Sequence, residues 1–130
     1  MTAIITGIDH PALAVANTDA LAEWYCRVLG YQKVHCTPTC CWLLRAPDGT
    51  LLEVMPQDAT PRPPRTNWTP GWSHLALRVT NLEQAIAALD AHGVQWTGDI
   101  GAAVGGGRLR NFADPEGNAW QLVERPARAR

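Results

Sequence analysis

Asp9-His10-Pro11-Ala12-Leu13-Ala14-Val15 near the start of the chain returns as Ser73-His74-Leu75-Ala76-Leu77-Arg78-Val79 in its second half. Outward from the two histidines, each stretch leads into a helical pattern that stops at a glycine, Gly30 in the first copy and Gly93 in the second. Each copy then reaches a Pro-x-Gly turn and an apolar strand. These are Pro47-Asp48-Gly49 before Leu51-Leu52-Glu53, and Pro115-Glu116-Gly117 before Ala119-Trp120-Gln121. The offset is 64 at the histidines, 63 at the glycines and 68 at Glu53 and Gln121. A repeat of this length marks two similar supersecondary units.

Within each copy the periodicity predicts the order βαβββ. Ile8 to Val15 reads as a strand, and Asn17 or Thr18 caps a helix whose Leu21, Trp24, Tyr25, Val28 and Leu29 recur at helical spacing. Gly30 fits a left-handed stop. Tyr31 to Thr37, Cys40 to Ala46 and Leu51 to Met55 follow as strands. In the second copy Leu75 to Val79 is a strand, and Asn81 with Gln84 forms a capping box for a helix ended by Gly93. Val94 to Thr97, Leu109 to Phe112 and Ala119 to Glu124 supply three more strands. The fold class expected is α+β, two βαβββ modules in a cupped, mostly antiparallel eight-stranded arrangement. Module one covers residues 4–56 and module two 71–125, as one domain over 1–130. The linker 57–70 is proline-rich, since five of the ten prolines fall between Pro56 and Pro70. A basic tail, 126–130, carries Arg128 and Arg130. The glycine-rich loop 98–107 either approaches a ligand, hinges a lid, or is a plain hairpin connection.

Composition excludes several classes of function. Hydrophobic residues make up 46% and charged residues 18%, the balance of a globular chain with a core. A formal net charge of −1 leaves no footprint for nucleic acid. No stretch is long and apolar enough to span a membrane. Met1 to Ile8 has no basic residue, so no signal peptide is read there, and a cytoplasmic location is expected. Cys26, Cys36, Cys40 and Cys41 lack zinc-ribbon spacing and are expected to be buried free thiols. Most of the six tryptophans are expected in the core.

Several segments together resemble the vicinal oxygen chelate superfamily, which includes glyoxalase I, methylmalonyl-CoA epimerase, extradiol dioxygenases, and fosfomycin- and bleomycin-resistance proteins. They are Asp9-His10 opening a strand, the helix end Trp24-Tyr25-Cys26-Arg27-Val28-Leu29-Gly30, Gly71-Trp72-Ser73-His74, and Phe112-Ala113-Asp114-Pro115-Glu116-Gly117-Asn118. The resemblance covers almost the whole chain. It implies a divalent metal held by the first and last strands of each unit, slots filled here by His10, Glu53, His74 and Gln121. Glutamine in the last slot departs from the glutamate common there and puts in doubt any mechanism that needs a carboxylate at that position.

Two imidazoles, one carboxylate and an amide oxygen suit a borderline divalent ion, and Zn, Ni, Co, Mn and Fe stay open. The alternative for each histidine is packing or hydrogen bonding, the reading given to His35 and His92. For Glu53 the alternative is an arginine partner, and for Gln121 a structural role. Arg108 is a candidate substrate-binding cation, or else a surface ion pair.

The resemblance implies a metal-dependent lyase or isomerase of the glyoxalase or epimerase type. The metal would stabilise an enediolate and Glu53 would move the proton. The alternatives are an Fe(II) extradiol-type dioxygenase and a non-catalytic resistance or binding protein. The expected partners are a small-molecule substrate and a second copy in a homodimer.

Overall fold

The computed structural model describes residues 3–127; Arg128 and Arg130 of the basic tail lie outside them. The chain divides into two compact units, the first ending at Pro61 and the second beginning at Arg62. The boundary falls inside the proline-rich linker.

The first unit runs β1 (Ala12–Val15), α1 (Thr18–Leu29), β2 (Gln32–Cys36), β3 (Trp42–Arg45), β4 (Leu51–Pro56). Its sheet has the order β1-β4-β3-β2, with β1 parallel to β4 and the other pairs antiparallel. Asn17 caps α1 by accepting from the Ala20 amide at 3.0 Å, and Gly30 ends it in the left-handed region. Leu21, Ala22, Tyr25 and Val28 form the buried face of α1, which packs on β3 and β4. Leu44, Leu52 and Val54 are fully buried, and each contributes about 1.5–3 kcal/mol relative to an exposed position. Since Leu52 and Val54 share one face of β4, Glu53 points to the opposite face.

The second unit runs β5 (Leu75–Arg78), α2 (Leu82–Ala91), β6 (Gln95–Trp96), β7 (Gly101–Ala102), β8 (Arg108–Ala113), β9 (Ala119–Glu124). The sheet order is β5-β9-β8-β6, with β7 also pairing β8. Again the first strand is parallel to the last. Asn81 accepts from the Gln84 amide at 2.9 Å, and α2 packs on β9. Trp120, Phe112 and Leu122 fill the core, Phe112 and Trp120 stacking at 6.3 Å. The first unit is thus a βαβββ module and the second is the same module with one short extra strand, β7, both of the expected α+β class.

The structure corrects four expectations. First, β1 begins at Ala12 rather than Ile8. Pro11 has no N–H to give a ladder, and its carbonyl makes the first bond, accepting from the Glu53 amide at 3.0 Å. Second, nine strands form among the described residues instead of eight, because Gly101–Ala102 pairs with β8 inside the segment read as a loop. Third, the thiols of Cys36 and Cys40 are exposed and those of Cys26 and Cys41 half-buried. Fourth, Trp120 is fully buried, but Trp68 and Trp72 are 93% and 96% exposed.

The glycine-rich loop is a hairpin turn. A side chain on Gly107 would stand 2.1 Å from the Glu124 carbonyl oxygen, so its glycine serves a close backbone approach. Arg125 donates from Nη1 to the carbonyls of Val104 and Gly106, fastening the same turn. Among the described residues no helix is long and apolar enough to cross a membrane.

Candidate metal centre

Strand register gives the two histidines the same address. In the first unit Ala12 pairs with Glu53, and His10 lies two residues before Ala12. In the second Ala76 pairs with Gln121, and His74 lies two residues before Ala76. The parallel pairing of first and last strands produces both relationships.

In the first unit His10 Nε2 stands 3.6 Å from Glu53 Oε1. Two donors each about 2.1 Å from one ion stand roughly 3–3.5 Å apart, so this pair suits a common divalent ion. The other ring nitrogen is occupied, since Nδ1 lies 2.7 Å from Asp9 Oδ2. That bond is the chief cause raising the His10 pKa above the ordinary imidazole value; desolvation opposes it and the Glu53 charge adds to it. A carboxylate accepting from Nδ1 holds a proton there and leaves Nε2, on the Glu53 side of the ring, as the nitrogen a metal ion would take. Glu53 keeps 30% of its side-chain exposure, so the cost of burying its charge is partial.

The second unit repeats the pattern with neutral groups. His74 Nδ1 lies 2.8 Å from Ser73 Oγ. The buried Gln121 donates from Nε2 to Asn111 Oδ1 at 2.9 Å, which leaves its carbonyl oxygen as the group able to coordinate. Asp9 and Ser73 enter the sequence reading only as members of the repeated stretches, with no role given to them or to Asn111. The signal for two of them was there, a polar residue immediately before each repeated histidine.

No group of three or more His, Cys, Asp or Glu able to hold an ion occurs among the described residues. The donors stand as a pair in the first unit and as equivalent positions in the second. Arg108 is engaged elsewhere. Its guanidinium bonds Glu83 at 2.6 and 2.9 Å and Glu124 at 2.9 and 3.2 Å, tying α2 to β9. Glu124 also accepts from the Leu82 amide at 2.9 Å.

The turn before β9 is built around Asp114. Its carboxylate accepts from the amides of Glu116 and Asn118, from Asn118 Nδ2 and from the buried Trp120 indole, at 2.8 to 3.1 Å. From the linker, Arg62 holds the same turn through the Glu116 carbonyl and Asn118 Oδ1.

Residues 7–122 match the family described as the Glyoxalase/Bleomycin resistance protein/Dioxygenase superfamily. The chain belongs to that superfamily. Its solved relatives include the glyoxalase family protein from Enterococcus faecalis, 25% identical with a TM-score of 0.78, covering 94% of this chain and 100% of that one. A superfamily member from Sphaerobacter thermophilus is 22% identical at a TM-score of 0.76, covering 94% and 99%. The fosfomycin resistance protein of Listeria monocytogenes, complexed with Mn(II) and sulfate ion, is 16% identical at 0.74, covering 98% and 96%. No curated protein matches the chain. Divalent metal binding within the superfamily is exemplified by the Listeria protein.

Proposed function

We propose that the chain is a metal-dependent lyase or isomerase of the glyoxalase or epimerase type, acting on a small molecule. The observation carrying this reading is the 3.6 Å approach of His10 Nε2 to Glu53 Oε1, at positions that His74 and Gln121 repeat. His10, Glu53 and His74 would hold the ion, with the Gln121 oxygen as a weaker fourth ligand. The His74 and Gln121 pair would come from the same chain or from a second copy.

When bound, the metal supplies positive charge beside two neighbouring substrate oxygens and so acidifies the adjacent C–H. Glu53 is the one carboxylate among the four positions, and it takes that proton and returns it. Asp9 and Ser73 hold the two imidazoles by Nδ1, which leaves each Nε2 as the nitrogen to ligate.

A homodimer belongs to the same proposal. Ile4, Ile5 and Ile8 are exposed ahead of β1, and β1 and β5 are sheet edges. A light-scattering mass of 14.2 kDa at micromolar concentration, that of one chain, would refute the dimer.

Glu53→Gln tests the chemistry. It should keep much of the metal, because an amide oxygen still coordinates, while turnover falls by ~10²–10⁴-fold. The wild type should exchange the alpha proton of its substrate with solvent deuterium. Near-wild-type turnover in Glu53→Gln ends the base assignment. Uptake of O₂ with a catechol, without proton exchange on 2-oxo or hemithioacetal compounds, moves the reading to a dioxygenase.

A further inference from the structure

One cysteine occupies a backbone position that this fold otherwise gives to glycine. Four turns share a pair of backbone hydrogen bonds, one from the first residue's amide to the fifth's carbonyl and one from the fourth's amide to the first's carbonyl. They are Thr37 to Cys41 (2.9 and 3.0 Å), Ala46 to Thr50 (2.8 and 2.9 Å), Ala103 to Gly107 (3.0 and 3.1 Å) and Asp114 to Asn118 (3.1 and 2.9 Å). The fourth residue of each is left-handed, with φ of 90° at Gly49, 103° at Gly106, 83° at Gly117 and 67° at Cys40. Among the described residues Cys40 is the one non-glycine with positive φ. A side chain there costs conformational energy that glycine avoids, and such an outlier points toward function.

Two further thiols flank it. Cys36 ends β2 and pairs in register with Trp42, while Cys41 follows the turn. The Cys41 carbonyl pairs with the Thr37 amide, so alternation along the hairpin places the Cys41 side chain on the face opposite Cys36. Cys36 and Cys40 are exposed and all three thiols are free. The hairpin is fixed at its base, where Trp42 Nε1 donates to Asp19 on α1 at 2.7 Å and the Lys33 ammonium lies 4.8 Å from the Trp42 ring centre. Desolvation, then the neighbouring Cys40 thiol, the Asp19 carboxylate and the Cys41 thiol, push the Cys36 thiol above its ordinary range, with Lys33 opposing them. Cys36 Sγ donates to the Thr37 carbonyl at 3.5 Å, whereas Cys40 stands at the exposed corner of the turn, so Cys40 meets an oxidant first and Cys36 is its reserve partner.

We propose that the β2–β3 turn is a peroxide-oxidised dithiol site, in which Cys40 and Cys36 close an intramolecular disulfide. The Cys40 thiolate attacks one oxygen of hydrogen peroxide, the O–O bond breaks, and Cys40 becomes a sulfenic acid as hydroxide leaves and is protonated to water. Cys36 then attacks the Cys40 sulfur. The S–S bond forms, the S–O bond breaks, and the departing hydroxide takes the Cys36 proton as a second water. Two thiols and one peroxide thus give one disulfide and two waters.

Trypsin cleavage after Lys33 and Arg45 isolates all three thiols on one peptide, residues 34–45. The native protein is treated with one equivalent of hydrogen peroxide, blocked with N-ethylmaleimide, digested and weighed. The peptide should carry one maleimide instead of three. The disulfide should persist in Cys41→Ser and disappear in Cys36→Ser and Cys40→Ser. Cys40→Gly should also lose it while melting at a higher temperature than the reduced wild type. Three maleimides on the wild-type peptide, a disulfide surviving in Cys36→Ser, or one linking two chains would overturn the proposal. So would a Cys40→Gly protein that melts no higher than wild type. None of these readouts depends on the metal-centre assignment.

Discussion

Asp9 and His10 are joined side chain to side chain, carboxylate Oδ2 to imidazole Nδ1 at 2.7 Å, while the far nitrogen of the same ring faces Glu53. The ring is thereby oriented by one carboxylate and presented to another. Ser73 and His74 repeat the first half of this relationship with a neutral hydroxyl.

A carboxylate behind a ligating histidine raises its basicity and fixes its tautomer, and losing such a partner costs ~10–100-fold in metal affinity. Asp9→Ala should therefore weaken Zn(II) or Mn(II) binding by that factor in calorimetric titration. Ser73→Ala should cost less, because a hydroxyl adds no charge. Equal affinity in Asp9→Ala and wild type would show that the bond does not support ligation.

His74→Ala should lose the metal altogether, since the remaining donors are one histidine, one carboxylate and an amide. Metal content of the purified variant decides it, and content equal to wild type would remove His74 from the ligand set.

Asp114→Ala should destabilise the second unit. The Trp120 indole is fully buried and donates to Asp114 at 3.1 Å, and a buried donor left without a partner costs ~1–3 kcal/mol by itself. Three further donors in the turn lose the same acceptor. Denaturant unfolding measures the loss; a stability unchanged within 0.5 kcal/mol, about the ordinary surface value, would show that the turn does not depend on Asp114.

Glu124 and Glu83 should give the fold an acid-sensitive tie. The Leu82 amide and Arg108 hold the Glu124 carboxyl below its ordinary range, and Arg108 does the same chiefly for Glu83. Folded pKa values below the unfolded ones mean stabilisation present above the ordinary carboxylate range and lost as pH falls through the folded values. Melting temperature followed from neutral to acid pH should fall less steeply in Glu124→Gln than in wild type. Parallel curves would show that the pair titrates alike in folded and unfolded chains.

Much of the architecture was legible because it rests on local chemistry. Asn17 and Asn81 cap helices where an amide donor needs an acceptor, and Gly30 ends a helix where the backbone turns left-handed. The repeated histidines marked the ends of two equivalent strands. Less legible was whatever depends on a partner distant in sequence. The pairing of Gly101–Ala102 with β8 carries no periodic signal over two residues. The engagement of Arg108 by Glu83 and Glu124 joins positions 25 and 16 residues away.

The sequence by itself determined the duplicated βαβββ order, because side-chain period, caps and turn glycines are properties of neighbouring residues. Tertiary structure alone decided that Glu53 stands against His10 while Glu124 is spent on Arg108 and the Leu82 amide. It also decided that Cys40, and not a glycine, takes the left-handed corner of its turn. The physical reason is common to all three. Strand register and hairpin closure set which groups meet, and both are fixed by hydrogen bonds between segments whose spacing along the chain does not encode their distance in space.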